Sequence, residues 1–155
     1  MEVNMIDAQD IAKYYIWCGQ QDEDLLTNLK LQKLLYYAQG FHLAIHNTPL
    51  FPESIEAWTH GPVVPDIYYI YKDFGSNVIE LENDVDFSEL NPEIKQVLDD
   101  VYQVYGQFSA FKLRDLTHEE PTWKNALPRQ TISHQSLKEY FKTRLIDTDE
   151  QEQET

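Results

Sequence analysis

The feature that most constrains the fold of this 155-residue chain is a helix-forming run after Thr27 with apolar residues on two opposite faces. At 3.6 residues per turn one stripe consists of Leu31, Leu34, Leu35, Ala38, Phe41 and Ile45, and the opposite stripe of Leu29, Tyr36 and Leu43. Thr27 is the expected N-cap, and Pro49 is expected to end the helix after Asn47. A helix with two apolar faces must be covered on both sides, so we expect a mainly α fold organised around it.

Start and stop signals elsewhere predict about five further helices and a minor short β element. The further helices are expected after Asp7, from Pro65 to Gly75, after Asn91, after Ser109 and after Ser133, with Gly19 and Gly106 as stops and a turn at Pro121. Residues 55–60 alternate in polarity and predict a short strand or an extended segment, after which Gly61-Pro62 turns the chain. Residues 76–90 are compatible with short strands or a surface loop. These elements predict a single compact domain.

The chain is strongly acidic, with 27 acidic and 12 basic residues and a net charge of −15. This charge argues against direct binding to nucleic acid or to anionic membranes, and its natural complement is a basic protein partner. The acids are dense at the end of the chain, so we expect a domain over residues 1–146 followed by an acidic disordered tail over residues 147–155. A single cysteine, with no apolar run long enough to span a membrane, favours a cytoplasmic protein.

Histidines and carboxylates offer weak candidates for a metal or catalytic site. His42 and His46 are spaced for one helix face, but Leu43 occupies the position of the glutamate in an HExxH motif. A hydrolase would recruit Glu56, His60, His118 and Glu119, for which the sequence provides no nucleophile context. We therefore expect neither a metal nor a cofactor, and a binding protein rather than an enzyme.

Aromatic residues are abundant, at 13% of the chain, and they suit either a core or an interface. Trp58 and Trp123 are expected in the core. Tyr68 and Tyr69 lie on adjacent faces of the helix after Pro65, so they cannot both point inward easily. One of the two tyrosines is therefore an interface candidate. Ile67, Ile70, Tyr71 and Phe74 are expected to form the buried side of that helix.

Four motifs occur in a characteristic order along the chain. They are LQKLLYYA from Leu31, PLF from Pro49, IEAW followed by HGPVVP from Ile55, and LTHEEPTW from Leu116. In this combination the chain resembles the Panacea antitoxin domain family, also known as SocA-like or phage-associated proteins. The resemblance covers nearly the whole predicted domain. It implies a mainly helical protein that binds and neutralises a toxin encoded beside it.

The resemblance also suggests which residues matter. Six motif residues are expected to be structural, namely Tyr36, Trp58, Gly61, Pro62, His118 and Trp123. Glu56 and His60 are also motif positions, and together with the nearby Val63, Asp66, Tyr68 and Tyr69, which the resemblance does not assign, they are the candidate partner-binding residues. The partner is expected to be the cognate toxin from the adjacent gene. Some family members deliver the toxin to a protease, so an adaptor role stays open, as do a phage anti-defence inhibitor, a DNA mimic and a metal-dependent hydrolase.

Overall fold

A computed structural model describes residues 5–88 and 90–154, and it describes side chains up to residue 145. The α-helices are α1 (Ala8–Gln21), α2 (Asn28–His46), α3 (Pro65–Ile70), α4 (Pro92–Tyr105), α5 (Ala110–His118), α6 (Pro121–Lys124) and α7 (His134–Glu154). A 3-10 helix over Lys72–Phe74 follows α3, and the strands are β1 (Glu56–Trp58) and β2 (Gly61–Val63). The predicted fold class is confirmed: the chain is a compact, mainly helical domain with a minor β element. The predicted tail, residues 147–155, lies beyond the described side chains and stays a prediction.

The helix α2 is the centre of the fold, as predicted. The Thr27 side chain accepts a hydrogen bond from the Lys30 N–H at 3.3 Å, and Asn47 ends the helix in the left-handed conformation. Helices α1, α4, α5 and α7 all pack against α2. Burial of α2 falls off in its last turn, so the prediction that Ile45 belongs to the buried stripe is wrong: its side chain is 49% exposed.

The most extensive helix packing in the fold is between α2 and α7. Gly40 of α2 lies directly beneath the ring of Phe141, and a Cβ atom at position 40 would overlap that ring. Phe141 is fully buried, and its ring makes an edge contact with Phe41 at 4.8 Å between centroids. Gly40 therefore sets how closely the two helices approach.

Replacing Gly40 with alanine is expected to destabilise the protein, although this change normally favours a helix by about 1 kcal/mol. Overpacking against Phe141 should cost about 1–3 kcal/mol, so we expect a net loss of about 1–2 kcal/mol. Urea unfolding followed by circular dichroism measures the change. In a Phe141→Leu background the same alanine should cost less; equal cost in both backgrounds, or a more stable single variant, would contradict the packing.

Two glycine-based predictions are wrong for a common reason, because each glycine permits a close contact instead of ending an element. The helix α1 continues past Gly19 to Gln21, and a Cβ atom at position 19 would lie 2.9 Å from the Asp24 carbonyl oxygen. Gly61-Pro62 does not turn the chain but begins β2, which pairs antiparallel with β1. The turn is formed by Thr59 and His60, and Gly61 follows it with φ of +110°.

The helix after Pro65 is shorter than predicted. It ends at Ile70, and Tyr71 leads into the 3-10 helix, which changes the direction of the following side chains. Ile67 and Tyr71 are buried as expected, but Ile70 and Phe74 are 47% and 37% exposed. The prediction of one long amphipathic helix to Gly75 is therefore wrong.

The remaining local signals agree with the structure. Asn91 and Ser109 cap α4 and α5, and the Ser133 hydroxyl accepts a hydrogen bond from the Ser136 N–H at the start of α7. Residues 76–88 form a loop that is joined to the domain by the bridge between Leu26 and Ile79, and the ring of Phe87 in this loop packs edge-on against Tyr14. Among the described residues, every helix is too short or too polar to cross a membrane.

Candidate functional site: a groove beside the β-hairpin

The β-hairpin, residues 56–63, is held at its turn by the second half of the chain. The Trp123 indole N–H donates to the Trp58 carbonyl at 2.7 Å, and His118 Nε2 donates to the Thr59 carbonyl at 3.1 Å. The rings of His118 and Trp123 stack with centroids 4.2 Å apart. On its other side β1 pairs with residues 129–132, where the Arg129 N–H donates to the Ala57 carbonyl at 2.6 Å. The turn is thus fixed from two directions.

A buried carboxylate joins α2 to the segment that holds the turn. The Tyr36 and Tyr37 hydroxyls donate to the two oxygens of Glu120 at 2.6 and 2.7 Å. The Tyr36 hydroxyl also lies 2.5 Å from the Thr122 hydroxyl. Burial raises the pKa of Glu120, while the tyrosine hydrogen bonds act in the opposite direction. Because both hydroxyls bind one carboxylate, the start of α6 is fixed against the centre of the fold.

A buried lysine supports the hairpin from below. Lys33 of α2 is fully buried, and its Nζ donates to the Pro62 carbonyl at 3.1 Å. Burial, together with the charge of Arg114, lowers the pKa of Lys33 to about 7. A Cβ atom at Gly61 would lie 2.7 Å from Lys33 Cε and 2.8 Å from the Thr117 hydroxyl. The second strand therefore needs glycine for space as well as for its positive φ.

Two buried glutamines of α2 bind the backbone on either side of the hairpin. Gln39 accepts from the Leu50 N–H at 2.6 Å and donates to the Phe51 carbonyl at 2.8 Å. Gln32 accepts from the Val64 N–H at 2.8 Å. These bonds satisfy backbone groups that lie away from water, so the polar positions of α2 fix the path of the chain into and out of the hairpin.

A groove of about 810 Å³ opens beside the hairpin. Its walls come from the start of α2, the hairpin, the α3 region, the start of α5 and the chain from α6 to residue 129. The large apolar side chains that line it are Leu29, Trp58, Val63, Tyr68, Phe111 and Trp123, and the basic ones are Lys72, Lys124 and Arg129. Phe111 is 64% exposed at the rim. A preformed cleft with apolar walls and a few polar groups is suited to binding a ligand or a partner segment.

The structure brings only part of the predicted partner-binding set into this groove. His60, Val63 and Tyr68 line it. Tyr69 lies at its edge with 57% exposure and with its ring 5.4 Å from that of Tyr68, so it is the more exposed of the two tyrosines. Glu56 accepts from the Trp58 indole N–H at 2.9 Å, and Asp66 is exposed in the first turn of α3.

The expected structural residues lie at the contacts just described, with one correction. Tyr36 is buried below the groove, Gly61 and Pro62 form β2, and His118 stacks on Trp123. The prediction that Trp58 and Trp123 belong to the core is wrong for Trp58, whereas Trp123 packs against the core; both are half-buried and form walls of the groove. Their polar indole nitrogens explain this position, because each finds a hydrogen-bond partner at the surface of the hairpin.

Three residues of the alternative hydrolase site are engaged in separate contacts. Glu56 binds Trp58, His118 binds Thr59, and Glu119 pairs with Lys124 at 3.9 Å. In the described part of the chain, no group of three or more histidine, cysteine, aspartate and glutamate side chains could hold a metal ion. His42 is buried and donates from Nδ1 to the Thr48 carbonyl at 2.7 Å, so its ring is engaged in the turn after α2. The hydrolase alternative therefore has no supporting geometry among these residues.

Sequence reasoning missed the basic residues of the groove and the buried polar residues below it. Arg129 lies in a loop with no pattern around it, and only its pairing with Ala57, 72 positions earlier in the chain, brings it to the hairpin. Lys33 and Gln32 fall between the two apolar stripes of α2, where a helical wheel predicts exposed side chains. No local sequence pattern shows that these side chains are buried. The one indication was that a helix covered on all sides must also bury its polar residues.

Comparison with known proteins connects this region to a family. The family described as "Antitoxin SocA-like, Panacea domain" matches residues 31–124, which is more than half of the chain and includes the hairpin. The protein Antitoxin SocA of Caulobacter vibrioides (strain NA1000 / CB15N) is 35% identical over 74 residues. That alignment covers 48% of this chain and 39% of the relative, so the chain aligns with well under half of the relative's length. No solved structure matches the chain.

Proposed function

The chain belongs to the SocA-like antitoxin family with the Panacea domain, and from this premise we propose that it neutralises a protein toxin by binding it in the groove beside the hairpin. Neutralisation is by contact, without a chemical step. The partner is proposed to be the product of the adjacent gene, and the complex is proposed to form in the cytoplasm. We choose this surface because most of the residues that line the groove lie in the segment matched by the family, residues 31–124.

The contacts of the groove support this assignment. The two tryptophans in its walls are held by hydrogen bonds to the hairpin, which means that little side-chain freedom is lost on binding. Two large aromatic side chains, Tyr69 and Phe111, remain mostly exposed at the rim. Exposed aromatic residues around a preformed cleft are typical of protein interfaces, where they act as anchors.

Co-expression with the product of the adjacent gene tests the proposal. The neighbour alone should arrest growth, this chain should restore growth, and the two proteins should co-purify at a fixed stoichiometry. A neighbour that is harmless alone and never associates with this chain would remove the basis for the proposed partner.

Substituting glutamate for Phe111 is expected to weaken toxin binding by about 30-fold, because a hot-spot aromatic contributes about 2 kcal/mol. Isothermal titration calorimetry with the purified toxin measures the change. The matched control is Val104→Glu, which places the same charge at a 49% exposed apolar position on α4, outside the groove lining. The control should bind as the wild type does; equal losses in both variants would show that the groove is not the binding surface.

An adaptor role is a separate proposal about the fate of the complex. A toxin delivered to a protease becomes short-lived when the antitoxin is present, whereas a toxin that is only sequestered is stable in the complex. Pulse-chase measurement of the toxin's half-life, with and without this chain, separates the two modes. The Phe111→Glu variant, whose binding should be weakened, serves as the control in both cases and should reduce the effect of this chain on the toxin's half-life.

The acidic surface favours one second candidate, an inhibitor that mimics DNA and blocks a DNA-binding defence protein. Such an inhibitor competes with DNA for its target, and the competition weakens steeply as salt concentration rises. Toxin binding through the groove, whose walls are largely apolar with three basic side chains, should depend less on salt. A salt series on the purified complex therefore distinguishes the two candidates.

A further inference from the structure

The groove carries a charge opposite to that of the protein as a whole. Lys72, Lys124 and Arg129, three of the 12 basic residues, line it, and none of the aspartates and glutamates in the described part of the chain does. Within those residues Lys72 and Arg129 form no ion pair. Lys124 reaches Glu119 only at 3.9 Å, with both side chains largely exposed, so that pair contributes little. The positive charges of the groove are therefore available to a ligand.

Two of these cations lie over aromatic rings at the edge of the groove. The Arg129 guanidinium is 4.3 Å from the centroid of the Trp58 ring, and Lys72 Nζ is 5.8 Å from that of Tyr69. Arg129 has φ of +63°, a conformation that costs a non-glycine residue about 1 kcal/mol, and strand pairing through its N–H maintains it. The backbone of Arg129 is thus fixed at a position that directs a positive charge onto the groove wall.

We propose that the groove binds a short segment of the toxin in which a large apolar or aromatic side chain is flanked by carboxylates. This inference rests on the proposed function and names the chemistry of the contact. The apolar side chain packs against Trp58, Phe111 and Trp123, and the carboxylates pair with Arg129 and Lys72. A toxin with a basic surface can still present such an acidic segment. The net charge of this chain attracts the toxin at long range, whereas the basic side chains of the groove pair with the carboxylates only at contact.

A single strand of nucleic acid is the competing occupant, since cations beside aromatic rings also bind stacked bases. The charge of the whole protein disfavours it. A strand carries one phosphate per nucleotide and continues beyond the groove onto a protein with a net charge of −15. A short acidic peptide segment places its few charges only at the basic residues.

Fluorescence anisotropy with defined probes tests the inference on the full chain. The probes are a labelled peptide of sequence Gly-Asp-Trp-Leu-Asp-Gly, the same peptide with lysine in place of aspartate, the same peptide with alanine in place of tryptophan and leucine, and a labelled thymidine hexanucleotide. The acidic aromatic peptide should bind at least about 10-fold more tightly than each of the other three.

Substitutions of the groove cations provide the second arm of the test. Arg129→Asn together with Lys72→Gln should weaken binding of the acidic aromatic peptide by about 10-fold, and asparagine tolerates the positive φ at this position. Arg129→Lys should retain most of the affinity. Lys142→Gln, which removes an exposed cation from α7, is the matched control and should bind as the wild type does. Thermal unfolding confirms that each variant is folded.

The outcomes separate this inference from the proposed function. If the toxin co-purifies with the wild type but the peptides bind equally, or the lysine peptide binds best, the chemistry proposed for the groove is wrong and the antitoxin function stands. Tighter binding of the hexanucleotide, lost in Arg129→Asn, would also overturn it. If no toxin binds, the proposed function fails, and the peptide ranking still decides which ligand chemistry the groove selects.

Discussion

Replacing Glu120 with alanine is expected to lower the free energy of unfolding by about 3 kcal/mol. The Tyr36 and Tyr37 hydroxyls would both lose their acceptor in a place that water does not reach. A cavity would add to this cost. Chemical denaturation measures the loss. Affinity for the proposed toxin should also fall, because Glu120 fixes the start of α6 and Trp123 of α6 lines the groove.

Two comparisons show whether the loss comes from the unpaired hydroxyls. Glu119→Ala removes the neighbouring, exposed carboxylate and should change stability by less than about 0.5 kcal/mol. In a background with Tyr36→Phe and Tyr37→Phe, the Glu120→Ala change should cost less than it does in the wild type, since no hydroxyl is then left unpaired. Fully additive losses would refute the network as the cause.

The buried lysine predicts an unusual dependence of stability on pH. The pKa of Lys33 is about 7 in the folded protein, against 10.5 for an ordinary lysine. Between these values the unfolded chain binds more protons than the folded one, so this residue makes stability rise with pH. The expected contribution is about 2 kcal/mol between pH 7 and pH 9. Urea unfolding at several pH values measures it.

Lys33→Met isolates this contribution, because the methionine cannot titrate. The variant should show a flatter dependence of stability on pH between 7 and 9 than the wild type. Lys142→Met removes an exposed lysine from α7 and should keep the wild-type slope. A Lys33→Met variant with an unchanged slope would show that the buried amine is not what titrates in this range.

The sequence predicted those features of the fold that local signals determine. The caps at Thr27, Asn91 and Ser109 are confirmed because each depends on a side chain and a backbone N–H only three residues apart. The central position of α2 is also confirmed, since two apolar stripes require cover on both faces. Predictions at Gly19 and Gly61 failed because glycine marks a close contact as often as an end, and contacts depend on distant residues.

The candidate site was less accessible from sequence, for the same physical reason. Lys33 and Gln39 find their partners 29 and 12 positions later, and Glu120 binds residues more than 80 positions earlier. A helical wheel assigns such polar residues to the surface because it contains no information about these partners. The net charge likewise describes the whole chain and conceals a groove of the opposite sign.

The residues that line the groove are far apart in the chain, so the groove can form only late in translation. One wall contains Leu29 and another contains Arg129, so about 100 residues must be translated between them. At about 5–20 residues per second this takes on the order of 5–20 s. The groove is therefore absent from a nascent chain until residue 129 has been translated, and we expect chains that terminate before residue 129 to lose the proposed toxin binding.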